Sequence, residues 1–166
     1  MKYQHFQDIP EVDNLMQDAD HVDIKTCEGE LGLREYVVNF LSYQPPWVTY
    51  LYGVRFFFVR LLGMRQEVLP TPPEILSADL PMQKGEPIAF FTVETAREDH
   101  FWIASAKDSH LIAYLGVVVE PIAENRNRFY VLTIVRYLNW AGPVYFNVIR
   151  PFHHLVVGQM TKAGLQ

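Results

Sequence analysis

In "KDSHLIAY", Asp108 and His110 stand two residues apart where a strand-like run begins. Side chains two apart on a strand project to one side, and a carboxylate there can orient and charge an imidazole for general acid or base work. The same residues also read as a hairpin turn, in which Asp108 bonds its own backbone and His110 merely opens the strand. Tyr114 falls on His110's side of a regular strand and would add a hydroxyl donor. Glu94 is the second carboxylate candidate, set within a strand on the parity of Phe90, Thr92 and Ala96. If that face lines a cavity, desolvation would raise its pKa and make it an acid or base. The surrounding "ETAREDH" otherwise reads as a solvated hairpin.

Other chemistries are poorly supplied. Helical metal ligands need spacings of three or four, and neither His153 nor His154 has a ligand-type residue at those offsets. His5, His21, His100 and His110 are scattered, so no metal is expected. Cys27 is the only cysteine, which excludes an intramolecular disulfide and a zinc site of paired thiolates. Nucleophile-elbow and glycine-rich phosphate patterns are absent, so no cofactor is expected. Lys plus Arg at 14 against Asp plus Glu at 19, a net charge of -5, is the wrong sign for nucleic acid.

These residues need elements to position them. Residues 1–18 read as an acidic N-terminal extension with a helical turn near "PEVDNLM", and residues 19–166 as a single domain. "ADHVDIKTCE" alternates as a strand, with His21, Asp23, Lys25 and Cys27 on one face and Val22, Ile24 and Thr26 on the other. Leu33, Tyr36, Val37, Phe40 and Leu41 then recur at helical spacing, and Pro45 and Pro46 end that helix and start another. The second helix, 46–62, is interrupted by Arg55 and Arg60 and is too short to span a bilayer, so no stable membrane insertion is expected. Gly63 to Pro87 reads as a connector. Four runs follow, "IAFFTVETARE", "HFWIASAK", "HLIAYLGVVVEPI" and "RFYVLTIVRYLN", joined by short polar turns that imply an antiparallel meander. The N-terminus lacks the apolar core of a signal peptide, and with the lone thiol this points to the cytoplasm.

A last helix is read from Pro143 toward Ala163. Its wheel places Tyr145, Val148, Ile149, Phe152, Leu155, Val156, Met160 and Ala163 on one broad face. Gln159 falls in the middle of that face, His153 at its border, and His154 nearly opposite, beside Arg150 in solvent. Pro151 should bend the helix.

The order of elements resembles the α+β helix-grip fold, a curved antiparallel sheet wrapped around a long C-terminal helix with two short helices after the first strand. "DSHLIAYLGVVV", "LTIVRYLNWAG" and "VIRPFHHLVVGQM" carry a closer resemblance to the bacterial domain-of-unknown-function family 2867, within the START-like, polyketide-cyclase-like (SRPBCC) superfamily. The resemblance implies an apolar cavity between sheet and long helix, and non-catalytic binding of a small hydrophobic molecule. Tyr114, Trp102, Tyr145, Phe152, Gln159, Tyr50 and Phe57 would line it. Two alternatives stand beside this one. An enzyme of cyclase, isomerase or hydrolase type would use Asp108 and His110 or Glu94. An interaction module would bury the surplus apolar face of helix 46–62 in a homodimer.

Overall fold

A computed structural model describes residue 6 and residues 8–43, 45–47 and 79–166. Helix α1 spans Pro10–Gln17 and starts on a proline, whose fixed φ suits the first turn. Strand β1 is His21–Gly29 and α2 is Leu33–Ser42, where the Glu35 carboxylate accepts from the Gly32 backbone N–H at 3.4 Å. The strands β2 Pro87–Ile88, β3 Phe91–Arg97, β4 Phe101–Lys107, β5 Leu111–Ala123 and β6 Arg126–Tyr137 follow. Helix α3, Ala141–Ala163, closes the chain. The helix read over 46–62, with Tyr50 and Phe57, and the connector before residue 79 lie largely or wholly outside the described residues.

The six strands form one curved sheet in the order β1-β6-β5-β4-β3-β2, every pair antiparallel. Short turns build the meander β3 to β6, and β1 then joins along β6. One face, here called inner, carries α2 against β4 and β5 and α3 against β1 and β6, and the two helices touch. Leu33, Tyr36, Val37, Phe40 and Leu41, the residues with helical spacing, are all buried in α2. They meet Val93, Trp102, Ala104, Val117, Val119, Phe129 and Val131. On the outer face, Val12 of α1 and Phe6 are buried against Phe101, Ile103, Val118, Tyr130 and Leu132. The acidic leader therefore contributes a second core rather than a lone helical turn.

The apolar face of α3 needs correction. Its buried residues are Gly142, Tyr145, Phe146, Val157 and Thr161, whereas Val144, Val148, Phe152 and Leu155 are exposed. Gln159, placed by the wheel at the centre of the packed face, is exposed as well. The helix is rotated by about one residue's 100° from the hydropathy wheel. Two adjacent rows of α3 are apolar, and the one bearing Gly142, Tyr145, Phe146, Val157 and Thr161 is the one that approaches the sheet. Gly142 marks the closest approach, since a Cβ there would lie 2.6 Å from the His110 carbonyl oxygen and 3.0 Å from Tyr137. The neighbour is backbone and cannot swing away. Gly142→Ala is therefore expected to lower stability by about 2 kcal/mol, seen as a lower urea midpoint at unchanged slope; a neutral result would place α3 further from the β4–β5 turn.

Candidate functional site

Both readings of the Asp108 pair meet in one corner. Asp108 Oδ1 accepts from the Ser109 backbone N–H at 2.6 Å and lies 3.5 Å from His110 Nδ1. The turn and the contact coexist. His110 is 1% exposed, its ring meets Tyr145 edge-on at 4.5 Å, and its carbonyl accepts from the Leu138 N–H at 2.9 Å. The corner thus ties the β4–β5 turn to the start of α3, and Tyr145, a proposed ligand contact, spends one ring edge on it.

Glu94 and Tyr114 stand elsewhere. The pairing of β3 with β4 slips between Val93 and Thr95, which makes Glu94 an extra residue in a bulge. Parity reverses there, so Ala96 packs with the inner core alongside Val93, while Glu94 accepts from the Ser105 hydroxyl at 2.5 Å. The expectation that Glu94 shares a face with Ala96 is corrected by that bulge. Tyr114 pairs with Ser105 and Ile134 and stands two residues from Gly116, whose missing Cβ would meet Leu132 and Ile103 of the outer core. Tyr114 is therefore on the outer face, and His110 is on the α3 side. The two-residue alternation failed because His110 precedes the regular strand. Glu94, Ser105 and Tyr114 form one outer-face group, and Asp108, His110 and Tyr145 a separate inner one.

Trp102 is fully buried in the inner core and donates from Nε1 to the Pro81 carbonyl at 2.9 Å. Phe152, at 42% exposed, and Gln159 point away from the sheet. Neither can line a space between sheet and helix, which corrects both as ligand contacts.

A polar cluster that the sequence reading did not assemble lies between β1 and α3. The face of β1 carrying His21, Asp23, Lys25 and Cys27 is the inner one. Asp23 Oδ2 is 3.1 Å from His154 Nδ1 and 3.2 Å from Lys25 Nζ, and Arg150 Nε donates to His154 Nε2 at 3.5 Å. His154 is thus a bridge to the sheet, not the solvated residue expected. His21 lies 4.8 Å from the Phe146 ring and 6.0 Å from His154. Burial works against ionisation of Asp23, but Lys25 and His154 outweigh it and hold the carboxyl below its usual range. Burial lowers the His21 pKa, helped by Arg150 and His154 and opposed by Asp23. Burial, with His154, His21 and Lys25 adding to it against Asp23, pushes His153 down to about 4. Both imidazoles are neutral at pH 7. One step along, Cys27 Sγ lies 3.2 Å from the Tyr36 hydroxyl, which donates to the Thr161 carbonyl at 2.9 Å, and burial raises the thiol's pKa. That thiol is a packing group, not a nucleophile.

Beside the cluster the sheet floor is low. Ala106 and Ala113 pair across β4 and β5 on the inner face, next to the row formed by Ala104, Leu115, Thr133 and Asp23. Ala113 touches the Tyr145 and Phe146 cluster, and both alanines are half-buried on the two central strands close to the β4–β5 turn. The Thr133 hydroxyl is buried with no hydrogen-bond partner among the described residues. No group of three or more metal-ligating side chains occurs among those residues, and none of their helices is long and apolar enough to cross a membrane.

A family model described as protein of unknown function (DUF2867) matches residues 15–160. No curated protein and no solved structure matches the chain.

Proposed function

The chain belongs to the DUF2867 family, and from its fold and side chains we propose that it is a START-like helix-grip protein holding a small hydrophobic molecule between the sheet and α3. The strand order, with β1 beside β6 and the long helix across both, supports the helix-grip reading. The observation that carries ligand binding is the pair of half-buried alanines, Ala106 and Ala113, on the inner face of the two central strands at the end next to the β4–β5 turn. A sheet buries its inner face against a covering layer, and here the two small side chains take up little height above the sheet, beside Tyr145 and Ile149 of α3. Pockets for apolar ligands combine such walls with a few polar groups, which Thr133 and His153 supply. Nothing in this reading requires chemistry, and the lone half-buried thiol fits a reducing cytoplasm.

The test is native mass spectrometry of the purified chain offered decanol. One molecule per chain is expected to bind, and Ala106→Trp, which fills the space over the floor, should abolish the adduct while circular dichroism stays native. No adduct on the unmodified chain, or an adduct undiminished in Ala106→Trp, discards the proposal.

An acid–base enzyme is the second reading, favoured by one observation. Asp108 and His110 stand at 3.5 Å beside Tyr145, at the edge of the same floor. Such a pair could shuttle a proton to a bound ligand. His110→Gln would then leave decanol binding intact and remove turnover, whereas equal loss of both assigns His110 to packing.

A further inference from the structure

The cluster between β1 and α3 holds several donors that lack acceptors. Arg150 is exposed and has no carboxylate partner among the described residues; its one contact is the long donation to His154. The His21 Nε2 atom and the Thr133 hydroxyl are buried, also without partners. Thr133 is 3% exposed and sits directly across from Asp23 in the β1–β6 ladder, on the face that α3 covers. An imidazole nitrogen or a hydroxyl left unpaired in a dry site is costly, so such groups are normally satisfied by protein, water or ligand.

The charge balance points the same way. Lys25 and Arg150 outnumber Asp23, and the neighbouring Asp20 is engaged by the Tyr137 backbone N–H, which donates to it at 2.6 Å, although the chain as a whole carries a net charge of -5. Both contacts of Asp23 fall on the single oxygen Oδ2. The Asp23 carboxylate therefore accounts for Lys25 and His154 and leaves Arg150, His21 and Thr133 unmatched. What the cluster lacks is an acceptor bearing negative charge. It also adjoins the alanine floor, since Thr133 and Val135 of β6 pair with Leu115 and Ala113 of β5.

We infer that this cluster receives the oxyanion head, a carboxylate or phosphate, of an amphiphile whose apolar body lies over Ala106 and Ala113. The inference rests on the apolar-ligand reading above and specifies its ligand class. Arg150 supplies the charged contact at the rim, Thr133 donates from the floor, and His21 donates from Nε2. Asp23, held by Lys25 and His154, sets the position of His154. Charge-assisted hydrogen bonds of this kind are the strong ones, because an ionised acceptor meets donors in a water-poor site.

Isothermal titration calorimetry of the full chain with decanol, decanoate and decyl phosphate, each below its micelle concentration, separates the possibilities. At least one of the two anions is expected to bind about tenfold or more tightly than decanol. In Arg150→Met, an exposed and structurally mild change, and in Thr133→Val, that preference should fall to within about threefold. The better anion identifies whether the natural head resembles a carboxylate or a phosphate monoester. Equal binding of decanol and both anions overturns the inference and leaves the apolar-ligand reading intact. A preference that survives both substitutions also overturns it, because the anion would then be held elsewhere. Binding of none of the three removes the apolar-ligand reading and this inference together.

Discussion

Trp102→Ala is expected to cost about 4 kcal/mol of stability and to lower the midpoint of thermal unfolding by roughly 12 °C. Trp102 is fully buried on the inner face of β4, where it packs with the α2 residues Tyr36, Val37 and Phe40 and with Val117. Truncation removes the largest fully buried side chain of the described core. The hole opens between a sheet and a helix, neither of which can move inward without breaking its ladder or its other contacts, so collapse is limited and the cavity cost stays high. The indole also donates to the Pro81 carbonyl at 2.9 Å. Trp102→Phe separates the two contributions: it keeps most of the apolar volume, strands the carbonyl, and should cost about 1–3 kcal/mol. Differential scanning fluorimetry and urea titration check both variants. A loss under about 1 kcal/mol for the alanine variant would contradict full burial.

Alternation and helical spacing made much of this fold legible. Each of the four strand-like runs is a strand, their short turns pair them antiparallel as expected, and every residue singled out at helical spacing in "LREYVVNFL" is buried. The two faces of β1 were also legible, but not which one lies inward. Hydropathy favours Val22, Ile24 and Thr26, and they are in fact on the outer side, where Ile24 joins the core under α1. The polar face carrying His21, Asp23 and Lys25 is the inner one. That choice decides the rotation of α3. A helix with two apolar rows can present either, and a floor of histidine, aspartate and lysine selects the row that carries Arg150, His153 and His154 along its margin. The wheel considered α3 alone and so placed Phe152 at the centre.

The candidate site divides in the same way. Asp108 and His110 were found because both of their meanings, turn and acid–base pair, are local. Glu94 and Tyr114 were misplaced by non-local geometry. A β-bulge adds one residue to one strand and inverts the parity of everything after it, and nothing in "TVETA" announces it. The cluster between β1 and α3 brings together residues separated by more than a hundred positions, such as Asp23 and His154. Each half was visible, yet only packing could join them.

His153 makes the pH dependence of stability the second large expected effect. Its pKa falls from 6.5 in the unfolded chain to about 4 when folded, because burial disfavours the imidazolium and His154, His21 and Lys25 repel it, with Asp23 opposing. A base whose folded pKa lies below its unfolded value binds its proton more readily when unfolded. Its contribution is then fully present above pH 6.5 and is lost as pH falls from 6.5 through 4. At about 1.4 kcal/mol per pH unit between the two values, that loss reaches about 3 kcal/mol near pH 4. His21, shifted the same way chiefly by its own burial, adds to the slope in this window. Asp23, Glu28 and Glu98 have lowered carboxyl pKa values, so their contributions begin to be lost as pH falls through the ordinary carboxylate values, at the acid end of this window, and a variant at His153 is needed to separate the imidazole from them. Urea titrations from pH 7.5 to 4.5 should show stability declining across the interval. His153→Leu, which keeps the apolar contact with Phe146 and cannot titrate, should flatten that decline by about 3 kcal/mol at its acid end. An unchanged slope would mean that His153 meets solvent between α3 and the sheet, and that the helix does not seal the cluster.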